Sequence, residues 1–418
     1  MRIGTGMEKI ILMFAFIVSF TIFAETSSRG EIRLESRVFN DDEVDSTRDE
    51  GYGIATSLEV KYENQKNVTA NFQLFTRIDN KDDSRNTVFL QEANVGYNFG
   101  NVEFKLGPQI INWSATEAFH PVDSVNSRNL DSDFESSEKI GETMIQLGYL
   151  FEESSLTLYY FPLLEENIFP ANSNRLFLFP NGLVLGEALF LKEDGEFYDG
   201  NEAEQWGARF DISLGALDLS IHSISHINRS KPVLIAGVSG NVHPTYIPVV
   251  QTGGTIQWPL ESWVIKVEGA YFDFQDKVST IYGDVEQLRH GEAAVGLEYG
   301  WNHENGWETS VILEANGITG LDKPQRQSLS AFQNDSLLGV RLALNNEDSG
   351  ELLFTVISDN ERSHEQMYNF KYSQRLTDVW SIKMGARLVD APYEEAVATG
   401  IQVFHNDHQY YLNISRFF

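Results

Sequence analysis

The sequence predicts an all-β chain folded as one closed antiparallel barrel whose strands cross a membrane, with 18 strands preferred and 16 as the alternative. Three observations carry this reading. Apolar and polar residues alternate with period two in segment after segment, the pattern of a strand with one greasy and one wet face. Short and long connections alternate in strict order, as they do when one rim of a barrel has tight turns and the other has loops. Past residue 24 no apolar stretch is long enough for a membrane helix and the mean hydropathy is negative, so a membrane can be crossed only by strands.

At the N-terminus, Arg2 and Lys9 precede an apolar run over residues 10–23 that ends at Ala24. This is the order of a cleaved export signal, and polar Glu25, Thr26, Ser27 and Ser28 follow where a membrane anchor would continue. The expected organisation is a signal peptide over 1–24 and one barrel over 25–418. No cysteine occurs, so neither disulfides nor thiolate metal sites hold the exported chain together. A formal charge of −30 argues against nucleic acid as a partner.

The strands are expected near 30–39, 52–63, 68–79, 88–99, 102–113, 142–151, 156–164, 205–214 and 217–227. The second half supplies 249–258, 263–275, 291–301, 307–316, 334–344, 351–358, 366–376, 379–389 and 405–418. In the second of these, Ile54, Thr56, Leu58, Val60 and Tyr62 oppose Ala55, Ser57, Glu59, Lys61 and Glu63; in the seventeenth, Trp380, Ile382, Met384, Ala386 and Leu388 oppose Ser381, Lys383, Gly385 and Arg387. No charge falls on either apolar face. Tight turns such as 64–67 and the Thr377–Asp378 pair alternate with long connections, and an even strand number puts both termini on the tight-turn side. Rings at strand ends, among them Tyr62, Trp206, Trp258, Trp263, Trp301, Trp307 and Trp380, suit the two membrane interfaces better than a soluble sandwich or propeller.

The C-terminal strand carries His408, Tyr410, Leu412, Ile414, Arg416 and Phe418 in alternation and ends on an aromatic ring. It resembles the terminal signal of bacterial outer-membrane β-barrel proteins, which the barrel assembly machinery reads. That resemblance implies the outer membrane of a Gram-negative bacterium, periplasmic termini, and contact with lipid and lipopolysaccharide. Arg416 stands where an apolar residue is usual, a departure that a side chain snorkelling to the interface accommodates. The segment 106–129, with Trp113, His120, Pro121, Asp123 and Asn126, is similar to a stretch in porin-like families, a likeness that carries no activity.

No chemistry of catalysis stands out. There is no HExxH, GxSxG, P-loop or GxGxxG motif, so no catalytic, cofactor or metal residue is expected, and the chain reads as no enzyme. Asp41, Asp42, Glu43, Asp45, Asp49 and Glu50 could offer oxygen ligands to calcium, but a solvated charge run is the simpler reading.

An 18-stranded barrel is too wide for wall side chains to fill, so an aqueous lumen is expected. The face opposite the apolar one supplies its charges. Arg33, Arg37, Arg341, Lys371, Arg375, Lys383 and Arg387 are expected on one wall, and Glu268, Glu298, Glu308 and Glu314 on another, giving a field across the water. Three long consecutive loops near 114–141, 165–204 and 228–248 are apolar for segments in water. They are expected to fold over or into the mouth and narrow it, with Trp113, Phe119, His120, Asp123, Phe177, Phe179, Leu185, Phe190, Leu234 and Ile235 as constriction residues. Together these features imply a channel for passive diffusion of small solutes. A surface scaffold, adhesin or complex subunit, or a transporter for apolar compounds, are the alternatives.

Overall fold

The computed structural model describes residues 24–40, 49–64, 67–132, 137–171, 174–177, 184–237, 240–275, 277–346, 348–362, 364–392, 400–405 and 407–418. Most of the expected signal peptide, residues 1–23, lies outside them. Eighteen strands form one sheet that closes on itself. They are β1 (Ala24–Phe39), β2 (Glu50–Asn64), β3 (Val68–Asp79), β4 (Thr87–Phe99), β5 (Val102–Gln109), β6 (Glu142–Leu150), β7 (Ser154–Leu163), β8 (Glu202–Leu214) and β9 (Leu217–Ile227). The circle continues with β10 (Pro248–Leu260), β11 (Trp263–Phe274), β12 (His290–Asn302), β13 (Glu308–Thr319), β14 (Asp335–Ala343), β15 (Glu351–Asp359), β16 (Gln366–Arg375), β17 (Trp380–Asp390) and β18 (Gln409–Phe417). Each strand pairs antiparallel with its chain neighbours, and β18 closes the ring on β1 from Glu31 opposite Phe417 to Phe39 opposite Gln409.

The C-terminal residue lies across a bare stretch of the first strand. The Gly30 and Phe418 backbones exchange two hydrogen bonds, 2.8 and 3.0 Å long, and a Cβ on Gly30 would lie 2.2 Å from the Phe418 ring. The terminal aromatic therefore rests on the bare backbone of the first strand. Arg416 turns its guanidinium toward the Trp380 ring, 6.0 Å from its centroid, which gives the odd cation of the terminal strand an aromatic partner.

Two expected strands are cut short by four residues or more. β5 ends at Gln109 rather than at 113 because Gly107 adopts φ 122°, where a Cβ would lie 2.2 Å from the Ala93 carbonyl oxygen. Asn126 then takes over the ladder: its Oδ1 accepts from the Ile111 amide at 2.8 Å, and its Nδ2 donates to the carbonyls of Gln109 and Ile140 at 2.9 Å. The chain peels off the wall and turns inward. β18 begins at Gln409 rather than 405, after a 3-10 turn at Gly400–Phe404.

The outer surface is apolar all round the ring, with Leu34, Ile54, Tyr97, Leu158, Ile221, Val295, Leu338, Phe370 and Leu412 exposed. A surface this greasy is stable only in lipid. Rings gather at the tight-turn rim, where Trp263 packs on Tyr299 at 4.5 Å and Tyr149 on Phe151 at 4.7 Å. Ile382 faces outward near the tight-turn end of β17, so Ile382→Arg is expected to cost about 1 to 2 kcal/mol, between the interface and midplane values, measured by reversible unfolding in lipid vesicles. A harmless Ile382→Arg would mean that the two faces of β17 are exchanged.

Inside, the loops do what wall side chains cannot. Ile111, Trp113, Val122 and Val125 pack with Tyr159, Phe161, Ile224, Val249, Phe272 and Phe274 from β7 to β11 and with Leu191, Ile235 and Ile247 from two other loops. This core fills the barrel on that side. A second cluster joins Phe119 and Leu176 to Phe39, Ile312, Leu337, Ile357, Met367, Val389 and Phe404.

Candidate functional site

Residues 110–132 and 137–141 lie in the interior and are tied to both sides of it. At the tip, Glu268 on β11 accepts from the amides of Ala115 and Thr116, 3.2 and 2.9 Å away, and from the Thr116 hydroxyl. Glu314 on β13 accepts from the amides of Glu117 and Ala118, 2.5 and 2.9 Å away, while Arg341 on β14 pairs with the Glu117 carboxylate at 2.5 Å. Two carboxylates thus satisfy four consecutive amides of a segment with no strand partner there, and ionised acceptors make such bonds strong.

At its stem the polarity reverses. Glu138 accepts from Arg77 at 2.9 Å and Arg33 at 3.4 Å, and both arginines also hold Glu35 at 2.8 Å. Asp131 pairs with Arg37 at 3.3 Å and Arg85 at 3.5 Å, and Arg85 with Asp79 at 2.6 Å. Burial pushes the Asp131 carboxyl up, and Arg37 and Arg85 draw it back. Between tip and stem, Asp123 accepts from Lys139 at 2.7 Å and Arg128 at 2.9 Å. Burial holds the Lys139 ammonium below its usual range against the pull of Asp123.

The charge map differs from the expected one on the acidic side. Glu268 and Glu314 are buried under the loop tip and do not face water. Glu298 pairs with Lys266 at 3.1 Å and reaches Arg341 at 3.8 Å, so Arg341 belongs to the acidic wall and not to the basic one. Glu308 opens β13 at the tight-turn rim, and Arg375 ends β16 at the same rim, exposed and away from the interior cavity. Arg33, Arg37, Lys371, Lys383 and Arg387 come together. They line a cavity of about 370 Å³ with Arg77, Arg85, Glu35 and Glu138, and with Asn369, Gln409, Tyr411 and Asn413. Glu35, Arg77, Arg85, Asp131 and Glu138 were not singled out from sequence. Glu35, Arg77 and Asp79 share the inward parity of their strands, but nothing local tells that loop carboxylates will meet the arginines.

Toward the loop rim the cavity ends at Leu176, packed with Phe39, Val389 and Phe404. The flanking groups fix it there. Asn174 donates to Asp82 and Asp131, each at 2.9 Å, and buried Arg175 pairs with Asp49 at 2.5 Å and with Asp407, bringing three loops to one guanidinium. Of the acidic run, Asp49 is used here and Glu50 pairs with Lys81 at 2.8 Å, while residues 41–45 lie outside the described residues. Among the described residues no group of three or more His, Asp or Glu side chains is placed to hold a metal.

The other constriction residues build the body of the loop assembly. Trp113 lies 4.7 Å from the His222 ring and edge-on to Tyr159, and Arg209 covers it at 5.3 Å. Phe119 meets Phe332 edge-on at 5.8 Å, and His120 Nδ1 is 2.6 Å from the Ser114 hydroxyl. Phe177 is buried, and Phe179 lies outside the described residues. Leu189–Phe190 pairs parallel with Val242–Tyr246, which pairs antiparallel with Val233–Ala236, so Leu234 and Ile235 sit in a small sheet over the mouth. Leu185 bridges to Val242, and Phe190 stacks on Tyr246 at 5.0 Å.

This cap is bolted to the wall by Arg229, which pairs with Glu142 at 2.7 Å, both buried. Next to them, burial and the neighbouring Glu142 push the Glu165 carboxyl up to about 7, with Arg229 opposing. The folded cap holds this proton more tightly than an unfolded segment does, so the ordered cap is favoured in acid. That advantage falls away as pH rises from about 4.5 to about 7, by at most about 3 kcal/mol. Amide exchange over residues 164–171, corrected for intrinsic rates, should show more opening at pH 7.5 than at pH 5 in the wild type and no difference in Glu165→Gln. Equal opening in the wild type would count against a proton held at Glu165.

No protein-family model matches the sequence, and no curated protein does. Solved structures match the fold. The chain is similar to Pseudomonas aeruginosa OccK2 (OpdF) at 9% identity, over 94% of this chain and 97% of that one, with a TM-score of 0.56. OccD3 (OpdP) of the same organism gives 10% identity over 94% and 91% with a TM-score of 0.52, and OpdO gives 10% over 95% and 97% with 0.51. The chain has the fold of bacterial outer-membrane porin-like barrels.

Proposed function

We propose that the chain is a narrow outer-membrane channel for passive diffusion of small solutes, with a preference for anions. The observation that carries this is the way residues 110–132 and the described part of the cap fill one side of the lumen and leave a polar cavity against β16, β17, β18 and β1. Seven cationic side chains line that cavity against two carboxylates. A low-dielectric barrel wall focuses such a charge on the passing solute. The signal peptide over 1–24 directs export, both termini lie in the periplasm, and the strand ending at Phe418 is handed to the barrel assembly machinery. Lipid and lipopolysaccharide surround the apolar belt.

Purified protein in planar bilayers should give discrete current steps in potassium chloride, with a reversal potential in a salt gradient displaced toward chloride. A folded protein that gives no steps would remove the channel reading and leave a surface scaffold. Steps displaced toward potassium would remove the anion preference alone.

A further inference from the structure

We propose that Glu268 is an acid-operated latch: a proton taken up by its carboxylate frees the loop tip at residues 114–118 from the wall and widens the channel. The widening rests on the channel reading; the release of the tip does not.

The wall is built to seat the tip. Glu268 on β11 stands opposite Ala294 of β12, and Glu314 on β13 stands opposite Gly296, two residues further along β12. Between the two carboxylates the inward face of β12 therefore carries nothing larger than a methyl group, and a Cβ at Gly296 would already lie 3.2 Å from Glu314 Oε1. Two residues along a strand are about 7 Å, which matches the step from the Ala115 and Thr116 amides to those of Glu117 and Ala118. Apolar anchors hold the chain on either side, Trp113 before the tip and Phe119 and Val122 after it. Residues 114–118 are thus kept on the wall by charge and hydrogen bonds.

The two carboxylates are not used alike. Glu314 accepts one amide on each of its oxygens. Glu268 takes the Ala115 and Thr116 amides and the Thr116 hydroxyl all on Oε1, and its Oε2 is buried with no hydrogen-bond partner among the described residues. A buried carboxylate oxygen without a donor is an open place for a proton, and once the charge is gone Oε1 is a neutral acceptor whose bonds are weaker by roughly half. The charged groups around Glu268 are few. On β10 the inward Gly253, Thr255 and Gln257 carry no charge, on β12 Glu292 is held by Lys231 and by His290 at 3.0 Å, and on β11 itself Lys266 is held by Glu298 at 3.1 Å. From the loop, His120 lies 3.9 Å from Oε1, and Glu117 is engaged by Arg341 at 2.5 Å. A protonated His120 strengthens the ionised latch, so release belongs to the range in which carboxylates, not histidines, take protons.

The test compares the full-length protein at about pH 7 and about pH 4, by amide exchange in lipid vesicles and by current recording in planar bilayers. In the wild type, exchange over residues 114–120, corrected for intrinsic rates, should show roughly tenfold more opening in acid, the loss of charge-assisted acceptance at one carboxylate, and the current steps should be larger in acid. Glu268→Gln should be open already at neutral pH and no longer respond to acid. Glu314→Gln should keep the response, because the open oxygen belongs to Glu268, and Glu308→Gln at the tight-turn rim should behave as the wild type. Opening that does not change with pH in the wild type, or an acid response that survives in Glu268→Gln, would overturn the latch. If Glu268→Gln does not assemble, exchange in the wild type and in Glu314→Gln decides: acid opening in both upholds the latch, and its absence from either overturns it. If the protein conducts nothing, the channel reading fails by itself and the exchange measurement still decides the latch.

Discussion

Replacing residues 174–177 by Gly-Ser-Gly-Ser is expected to raise single-channel conductance severalfold. These four residues close the loop end of the cavity with Leu176 and hold the closure with Arg175, whose guanidinium joins Asp49 of the first loop to Asp407 of the last. The replacement removes the apolar contact with Phe39, Val389 and Phe404 and both ion pairs, so water gains a route to Arg387. The wall is not expected to suffer, because every barrel strand keeps its hydrogen-bonded neighbours. Unfolding by heat should therefore stay within a few degrees of wild type while the current steps grow. Unchanged steps in a correctly folded replacement would mean that the conducting path avoids this end of the cavity.

The second large effect is expected from Lys383→Glu combined with Arg387→Glu. The cavity lining then changes from seven cations against two carboxylates to five against four. The reversal potential in a potassium chloride gradient should move toward potassium, with the permeability ratio changing by about tenfold or more. The apolar face of β17 is untouched, so assembly in the membrane should be retained. A ratio that does not move would show that ions pass without meeting this wall.

Much of the fold was legible because period-two alternation is enforced by the membrane. Each strand of a barrel with lipid outside and polar groups inside has to write its two faces into the sequence, which is why Ile382, Met384 and Leu388 separate so cleanly from Lys383 and Arg387. The loops obey no such rule. The strand expected over 102–113 stops at Gln109, because the backbone at Gly107 and the side chain of Asn126 turn Ile111 and Trp113 into the interior. The acidic residues failed for a different reason. Glu268 and Glu314 have the inward parity expected of them, but parity cannot tell a carboxylate facing water from one occupied by backbone amides of a loop more than a hundred residues away. Lys371, Lys383 and Arg387 differ in that they lie on adjacent strands, where register alone brings them together.

The absence of cysteine makes the central claim, a water-filled passage along the inward face of β16 to β18, open to direct measurement. Single cysteines at Lys383 and at its outward neighbour Ile382 can be treated during bilayer recording with a membrane-impermeant methanethiosulfonate reagent bearing a sulfonate. The Lys383→Cys channel should lose current stepwise and irreversibly as each pore is modified, and the Ile382→Cys channel should not respond. Current lost at Ile382→Cys, with Lys383→Cys indifferent, would contradict the account.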